Sequence, residues 1–172
     1  VKNPYISIQI TQTIASIELL EQQIEEIETL IEETMKELDS VIMTIPGIGA
    51  MDGAMILGEI GDISRFASAS KLLAYAGLDP TVCQSGNFRA RSTKMSKRGS
   101  KTLRFALINA AWQLTLHSDV FKAYYDLKRS AGLGHYAALG HVAHKLVRVL
   151  FKLLRSRIPF DENFLLISQG GA

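Results

Sequence analysis

The sequence is poor in several features that would otherwise narrow its class. It contains one cysteine, Cys83, so an internal disulfide is excluded and a reducing compartment is expected. No apolar run approaches the ~20 residues that a membrane-spanning helix needs, and the first residues form an acidic helical pattern rather than a secretory leader. With 47% hydrophobic and 21% charged residues, the composition is typical of a folded domain. We therefore expect a cytoplasmic protein that does not contact membranes.

Acidic residues are also scarce, but only in one part of the chain. Residues 1–40 hold two lysines and nine acids, a net charge of −7. Residues 63–160 hold 17 cations and three acids (Asp79, Asp119 and Asp126), a net charge of +14. A solvated surface usually mixes both signs, so this asymmetry predicts a polyanionic partner for the basic part.

The acidic part predicts a coiled coil over residues 10–41, within an arm formed by residues 1–41. Apolar residues recur there every seven positions, with a second set three positions later, and such a seam needs a partner helix. We therefore predict a homodimer or higher oligomer, and the alternative is one long helix packed on its own domain. The first set is Ile10, Ile17, Ile24, Ile31 and Leu38, and the second includes Leu20, Ile27 and Val41.

The segment Pro46-Gly47-Ile48-Gly49, between an apolar turn and an amphipathic pattern, predicts a helix-hairpin-helix. Gly47 and Gly49 permit a tight turn and a close approach of the backbone to a ligand. The turn opens into a helix N-terminus, whose free N–H groups can hold a phosphate oxygen. The alternative is an ordinary corner between two helices.

The remaining pattern is helical, so we predict an all-α fold with a helical domain over 42–160 and a tail over 161–172. No segment alternates with a period of two. Ser100 is expected to cap one helix and Gly77 to end another. The predicted helices are 66–76, 101–117, 119–131 and 136–156, and residues 78–99 are predicted to be a loop.

The loop and the helix start after it form the most basic stretch of the chain. Between Gln84 and Arg104 there is no acid, which suits contacts with a phosphate backbone. Phe88 is the one aromatic residue of the loop, so duplex DNA is favoured over stacked single strands. Serines in such loops usually donate to phosphates or cap helices. The seven cations are Arg89, Arg91, Lys94, Lys97, Arg98, Lys101 and Arg104.

The histidines and the remaining acids do not predict a metal site. His141 and His144 share a helical face, but no cysteine or carboxylate has ligand spacing to them. Asp52, Glu59 and Asp62 are scattered around one helix and its end, whereas two-metal sites need converging carboxylates. We therefore expect this chain to bind no metal or other cofactor.

Four stretches together resemble a known family. They are IPGIGAMDGAMILGEIGDISRFASASKLLAYAGLDP, QSG, MSKRGSKTLRFALINAAW and HVAHKLVRVLFKLL, in this order from about Val41 to Leu154. This combination resembles the C-terminal transposase domain of the DEDD-type bacterial insertion-sequence transposases, which are similar to the pilin-gene invertase Piv and are guided by a bridge RNA. A coiled coil before this domain also fits the family.

The resemblance implies a DNA recombinase in which a serine of this domain attacks a DNA phosphate. By motif position the nucleophile is Ser85 of Gln84-Ser85-Gly86, with Ser96 as the alternative. Four acids on a separate N-terminal domain would bind magnesium, and a guide RNA would be a further partner. Since that domain is not in this sequence, we expect a C-terminal fragment that binds DNA and dimerises but does not recombine DNA alone.

Two other functions remain open on the residues themselves. One is a non-catalytic helix-hairpin-helix module that binds DNA or RNA and dimerises through its arm. The other is a structural domain whose partner is an acidic protein. The salt dependence of DNA binding discriminates this last function from the first two.

Overall fold

The computed structural model describes residues 4–80, 84–85, 88–89 and 95–162, and for Pro4 and the four strand residues it describes the backbone alone. The chain divides into two compact units, Val1–Leu38 and Asp39–Ala172. The predicted all-α class is confirmed. The described residues form α1 (Pro4–Leu38), α2 (Ala50–Ile60), α3 (Ala69–Tyr75), β1 (Gln84–Ser85), β2 (Phe88–Arg89), α4 (Lys101–His117), α5 (Asp119–Ser130) and α6 (His135–Ser156), with 3-10 turns at Val41–Thr44 and Ile63–Arg65.

The first unit is a single helix, α1, whose apolar seam is exposed. Ile10, Ile17 and Ile24 each leave about half of the side chain accessible, at 54%, 49% and 52%. The helix ends at Leu38, because Asp39 adopts a left-handed backbone with φ +42°. The predicted arm to Val41 is therefore three residues too long.

The second unit is built around α4 and α6. Helix α4 packs against α2, α5 and α6, and α6 also packs against α3 and α5. One face of α4 forms an apolar stripe that lies in the core, since its residues Leu103, Ala106, Leu107, Ala110 and Leu114 are all buried. Burying these side chains removes apolar surface from water and holds the helices together.

Serine caps define several helix starts in this unit. The predicted cap at Ser100 is confirmed, because the backbone N–H of Leu103 donates to its Oγ at 3.0 Å. Ser118 ends α4 and also caps α5, where the N–H of Phe121 donates to its Oγ at 3.4 Å. The cap at Ser100 therefore fixes the point at which the basic stretch before it continues into α4.

Other boundaries differ from the prediction. Helix α3 begins at Ala69 rather than Phe66, because Ser68 caps it and Ile63–Arg65 form a 3-10 turn. The predicted loop contains the two-residue strands β1 and β2, which pair antiparallel. Helix α6 begins one residue earlier than predicted, at His135, but its predicted end at Ser156 is confirmed, because Arg157 adopts a left-handed backbone there. Among the described helices, none is long and apolar enough to cross a lipid bilayer.

Candidate nucleic-acid interface

The segment Met95–Ser100, which carries the basic residues into α4, is pinned along the end of α3. The N–H of Ser96 donates to the Asp79 carbonyl at 2.8 Å, and the N–H of Lys97 donates to the Gly77 carbonyl at 3.0 Å. The N–H of Ser100 donates to the Tyr75 carbonyl at 2.7 Å. Residues 75–79 and 96–100 are thus one paired unit, although they lie about twenty residues apart in sequence.

Two glycines make this close pairing possible. Gly77 has φ +66°, and a Cβ built on it would lie 2.6 Å from Nη1 of Arg104 and 2.7 Å from the amide nitrogen of Gly99. A Cβ on Gly99 would overlap the carbonyl oxygen of Tyr75. Side chains at either position would push the two segments apart.

Ser96, the alternative nucleophile, is bonded to the one acid of the neighbouring segment. Its hydroxyl donates to Oδ1 of Asp79 at 2.5 Å, and its Oγ accepts the N–H of Arg98 at 3.4 Å. Both side chains are half-buried. This arrangement fixes Ser96 as a tether, and it also places a carboxylate where a proton acceptor for the hydroxyl would stand.

Ser85, the first choice for the nucleophile, lies in β1. Its Cα pairs with that of Phe88, and the Cα of Gln84 pairs with that of Arg89, so β1 and β2 form an antiparallel hairpin. A bridge between Pro80 and Met95 joins the two ends of the loop that carries the hairpin. The side chains of Ser85 and Arg89 lie outside the described residues.

The predicted cations differ in what they contact. Lys97, Arg98 and Lys101 are exposed, and within the described ranges none of them makes an ion pair. Arg104 is half-buried and its Nη1 donates to the Ala76 carbonyl at 3.1 Å, so it also holds α4 against α3. Arg91 and Lys94 lie outside the described residues. Three cations therefore project from a fixed backbone towards solvent.

The predicted hairpin around Gly47 and Gly49 has only one α-helix, since the segment before it is the 3-10 turn Val41–Thr44. Gly47 (φ +78°) packs on α4, where a Cβ would lie 2.8 Å from Cδ2 of His117. Gly49 is exposed, has open space around it and caps α2 without a side-chain bond. The geometry thus gives Gly47 a packing function and leaves the N-terminus of α2 open at Gly49.

An acid stands beside that open helix end. Asp52 lies in the first turn of α2, and partial burial raises the pKa of its carboxyl. A carboxylate in this position is favoured by the helix dipole and opposes a phosphate at the same place. The N-terminus of α2 is therefore a weaker anion site than the exposed cations of 97–101.

Two of the histidines, His135 and His144, make internal hydrogen-bond contacts. Nε2 of His144 lies 2.6 Å from the Leu78 carbonyl, and Nδ1 of His135 lies 2.7 Å from the Tyr125 hydroxyl. In the described part of the chain, no group of three or more His, Cys, Asp or Glu side chains could hold a metal ion. The described residues therefore do not fit magnesium.

Sequence reasoning missed Asp79 as a partner of Ser96, and His144 as a link between α6 and the same segment. One signal was available for the first, because Asp79 is the one acid between Ile63 and Val120 apart from Asp119. An isolated acid in a basic region usually has a local partner. For the contact of His144 with Leu78, no sequence pattern near either residue indicates that they lie together.

Comparison of the sequence with known proteins shows the family of this chain. The family described as Transposase IS116/IS110/IS902 matches residues 39–126, which include α2, α3, the hairpin, α4 and the basic segment. The chain is 32% identical to the insertion element IS110 uncharacterized 43.6 kDa protein of Streptomyces coelicolor, over 71% of this chain and 31% of that protein.

Two further relatives carry functional names. The chain is 33% identical to the mini-circle putative transposase for IS117 of Streptomyces coelicolor, over 71% of this chain and 29% of the relative. It is 32% identical to the pilin gene-inverting protein of Moraxella bovis, over 72% of this chain and 38% of the relative. The chain thus spans about a third of the length of the curated relatives it matches. The chain belongs to the IS116/IS110/IS902 transposase family.

Proposed function

We propose that this chain is the DNA-joining part of an insertion-sequence transposase, which binds the DNA backbone and supplies a serine nucleophile. The observation that carries the proposal is the pinned segment Met95–Ser100, which leads into the basic first turn of α4, in a chain of this family. There, Lys97, Arg98 and Lys101 are exposed and make no ion pair with a described acid. The backbone N–H groups of Ser96, Lys97 and Ser100 bond the segment that carries them to residues 75–79. Fixed cations bind phosphates without the entropy cost of ordering a loop.

We assign the nucleophile to Ser85, with Ser96 as the alternative. Attack by the serine Oγ would form an Oγ–P bond as the phosphodiester P–O bond breaks. The hydroxyl proton would pass to a base, and the departing nucleotide oxygen would take up a proton. The assignment to Ser85 follows the motif position, whereas the hydrogen bond from Ser96 to Asp79 at 2.5 Å fits either a tether or a hydroxyl beside its proton acceptor. Arg89 and Arg91 would stabilise the charge that builds on the phosphate.

We further propose that magnesium is bound by an acidic domain of a longer protein, as the family resemblance implies. Magnesium in such a site offsets the charge of the phosphate and its leaving oxygen. The 172-residue chain alone should then bind DNA and fail to recombine it with magnesium. Recombination by this chain alone would contradict the proposal. A guide RNA is a further proposed partner, through the same cationic surface.

The exposed seam of α1 supports self-association through residues 10–38. The Thr13 and Thr34 hydroxyls in the seam donate to the Gln9 and Leu30 carbonyls, so they add no unpaired donor to an interface. Isoleucine at the first core position with leucine at the second suits two strands, and isoleucine at both positions allows more. We propose that a second copy of this chain covers the seam, in keeping with the symmetric handling of DNA ends.

DNA binding is tested by measuring the dissociation constant for a labelled duplex as the salt concentration rises. A slope of about −0.9 in log affinity per phosphate contact is expected. The variants Arg98→Gln and Lys101→Gln should each weaken binding and reduce the slope by about one. Lys122→Gln, which removes an exposed lysine of α5 paired with Asp126, is the matched control and should leave the slope unchanged.

The alternative function of a non-catalytic binding module predicts the same salt slope but no dependence of recombination on either serine. A dissociation constant that barely changes with salt would contradict DNA-backbone binding. That result would favour a structural domain with an acidic protein partner.

A further inference from the structure

A second basic feature lies away from the pinned segment, in a cavity of about 730 Å³ between α5, α6 and residues 156–161. Its apolar lining includes Tyr124, Val149 and Phe160, and its basic lining includes Lys145, Arg148 and Lys152. Asp161 is the one acid among the described residues that line it. The cavity therefore combines an apolar, partly aromatic interior with an excess of positive charge.

The wall formed by residues 158–161 is fixed by contacts with the rest of the second unit. The N–H of Phe160 donates to Oγ1 of Thr44 at 2.8 Å. The Phe160 ring lies 6.4 Å from the ring of the buried Phe121, centroid to centroid. These contacts hold the segment after α6 in place, so the cavity has a built wall.

Lys145 lines this cavity, and its ammonium group lacks a hydrogen-bond acceptor among the described residues. Its Nζ is buried. It lies 5.0 Å from the centre of the Tyr124 ring and 5.3 Å from that of Phe121. Burial lowers the pKa of this ammonium group. Ring faces offset part of the lost hydration, but a buried donor without an acceptor is rare and favours an anionic ligand.

The cavity adjoins the candidate nucleic-acid interface. His144 lines it, and the Nε2 of His144 lies 2.6 Å from the carbonyl of Leu78. The next residue, Asp79, accepts the hydroxyl of Ser96 at 2.5 Å. One side chain of α6 thus separates the cavity from the segment that holds the basic residues.

We propose that this cavity receives one unpaired nucleotide of the DNA bound at the adjacent interface. The base would lie against Tyr124 and the apolar lining, and its phosphate would contact Arg148 and draw the buried Nζ of Lys145 off the Tyr124 ring towards it. This proposal rests on the proposed DNA-binding function. The volume suits a ligand of nucleotide size, since pockets that bind small molecules and cofactors have volumes of roughly 300–1,000 Å³. An acidic peptide would also match the charge, but it would not explain the position beside the phosphate-binding segment.

The test compares two labelled duplexes of equal phosphate number, one with a single bulged adenosine and one with a bulged abasic site. The 172-residue chain should bind the adenosine bulge about tenfold more tightly, because a stacked base adds affinity at constant charge. Tyr124→Ala should abolish that preference, and Lys145→Met should weaken binding of both bulges relative to a fully paired duplex. Lys122→Gln is the control. It should change neither the preference for the adenosine bulge over the abasic bulge nor the affinity for the bulges relative to a fully paired duplex. Thermal unfolding confirms that the variants fold.

Equal binding of both bulges by a wild-type chain that still binds duplex DNA would overturn this proposal and leave the proposed function intact. No binding of any DNA would overturn both. Tight binding of a Leu- and Glu-rich peptide that Lys145→Met abolishes, without a preference for the adenosine bulge, would assign the cavity to an acidic protein segment instead.

Discussion

The Ser96 hydroxyl donates to Oδ1 of Asp79 at 2.5 Å, across 17 residues of sequence. With the backbone bonds from Ser96 and Lys97, this contact fastens the basic segment to the end of α3. The cations that would meet DNA therefore stand on a surface that is already formed before DNA arrives. Such preorganisation raises affinity by avoiding the cost of ordering.

Ser96→Ala is expected to lower the free energy of unfolding by about 1.5–3 kcal/mol, because it removes a half-buried hydrogen bond to a carboxylate. Urea denaturation measures this change. Ser64→Ala is the matched control, since the Ser64 hydroxyl donates to Asp62 at the same 2.5 Å on an exposed surface. Water replaces that partner, and a loss under about 0.5 kcal/mol is expected. Equal losses at both serines would contradict the tethering function.

Two glycine substitutions should change stability in opposite directions. Gly99→Ala should destabilise the chain by at least ~2 kcal/mol, because its Cβ would overlap the Tyr75 carbonyl oxygen. Gly58→Ala, in the exposed interior of α2 with nothing within 4 Å, should stabilise by about 0.5–1 kcal/mol. Thermal unfolding measures both effects. A Gly99→Ala chain as stable as wild type would show that residues 75–79 and 96–100 are not tightly paired.

His141 should make the chain less stable in mild acid. Partial burial, followed by the charges of Lys128 and His144, holds the pKa of this imidazole below its ordinary 6.5. The unfolded chain then takes up the proton at higher pH than the folded chain. The stability that the folded chain gains from keeping His141 neutral is complete above about pH 6.5. It is lost as the pH drops through the lower pKa of the folded state.

The variant His141→Gln should reduce that pH dependence. Melting temperatures measured between about pH 8 and pH 5 should fall less in His141→Gln than in wild type. Identical profiles in the two chains would exclude a contribution from His141.

The α1 seam makes a prediction about oligomeric state. Ile24→Lys should shift the chain towards monomer, because a charge at a first core position cannot be buried between two helices without a partner. Sedimentation equilibrium measures the change. Glu25→Gln, on the neighbouring exposed position, should leave the state unchanged. A wild-type monomer at tens of micromolar would contradict self-association through this helix.

Local sequence signals predicted much of the fold because they act over a few residues. The cap at Ser100 and the stripe from Leu103 to Leu114 gave the correct bounds of α4. The end of α1 was predicted too late, since the heptad continues to Val41 while the backbone turns at Asp39. The spacing of apolar residues gives no information about the backbone conformation of a polar residue such as Asp39, so it could not predict this helix end.

The candidate site was less predictable because its contacts join distant residues. The basic stretch was visible, and the exposure of Lys97, Arg98 and Lys101 agrees with it. The pairing of Asp79 with Ser96 and of Leu78 with His144 depends on how α3 and α6 pack. The phosphate contact assigned to Gly47 stays a prediction, and the packing of Gly47 against His117 was not visible in the sequence.

The most direct test of the account uses this chain joined to the acidic domain of a family relative, with labelled junction DNA and magnesium. We predict a covalent protein–DNA adduct on a denaturing gel, which Ser85→Ala abolishes while Ser96→Ala, corrected for its lower stability, retains it. Loss with Ser96→Ala alone would move the nucleophile to the residue that contacts Asp79. Recombination without any adduct would contradict the serine mechanism and leave the basic segment as a phosphate-binding surface.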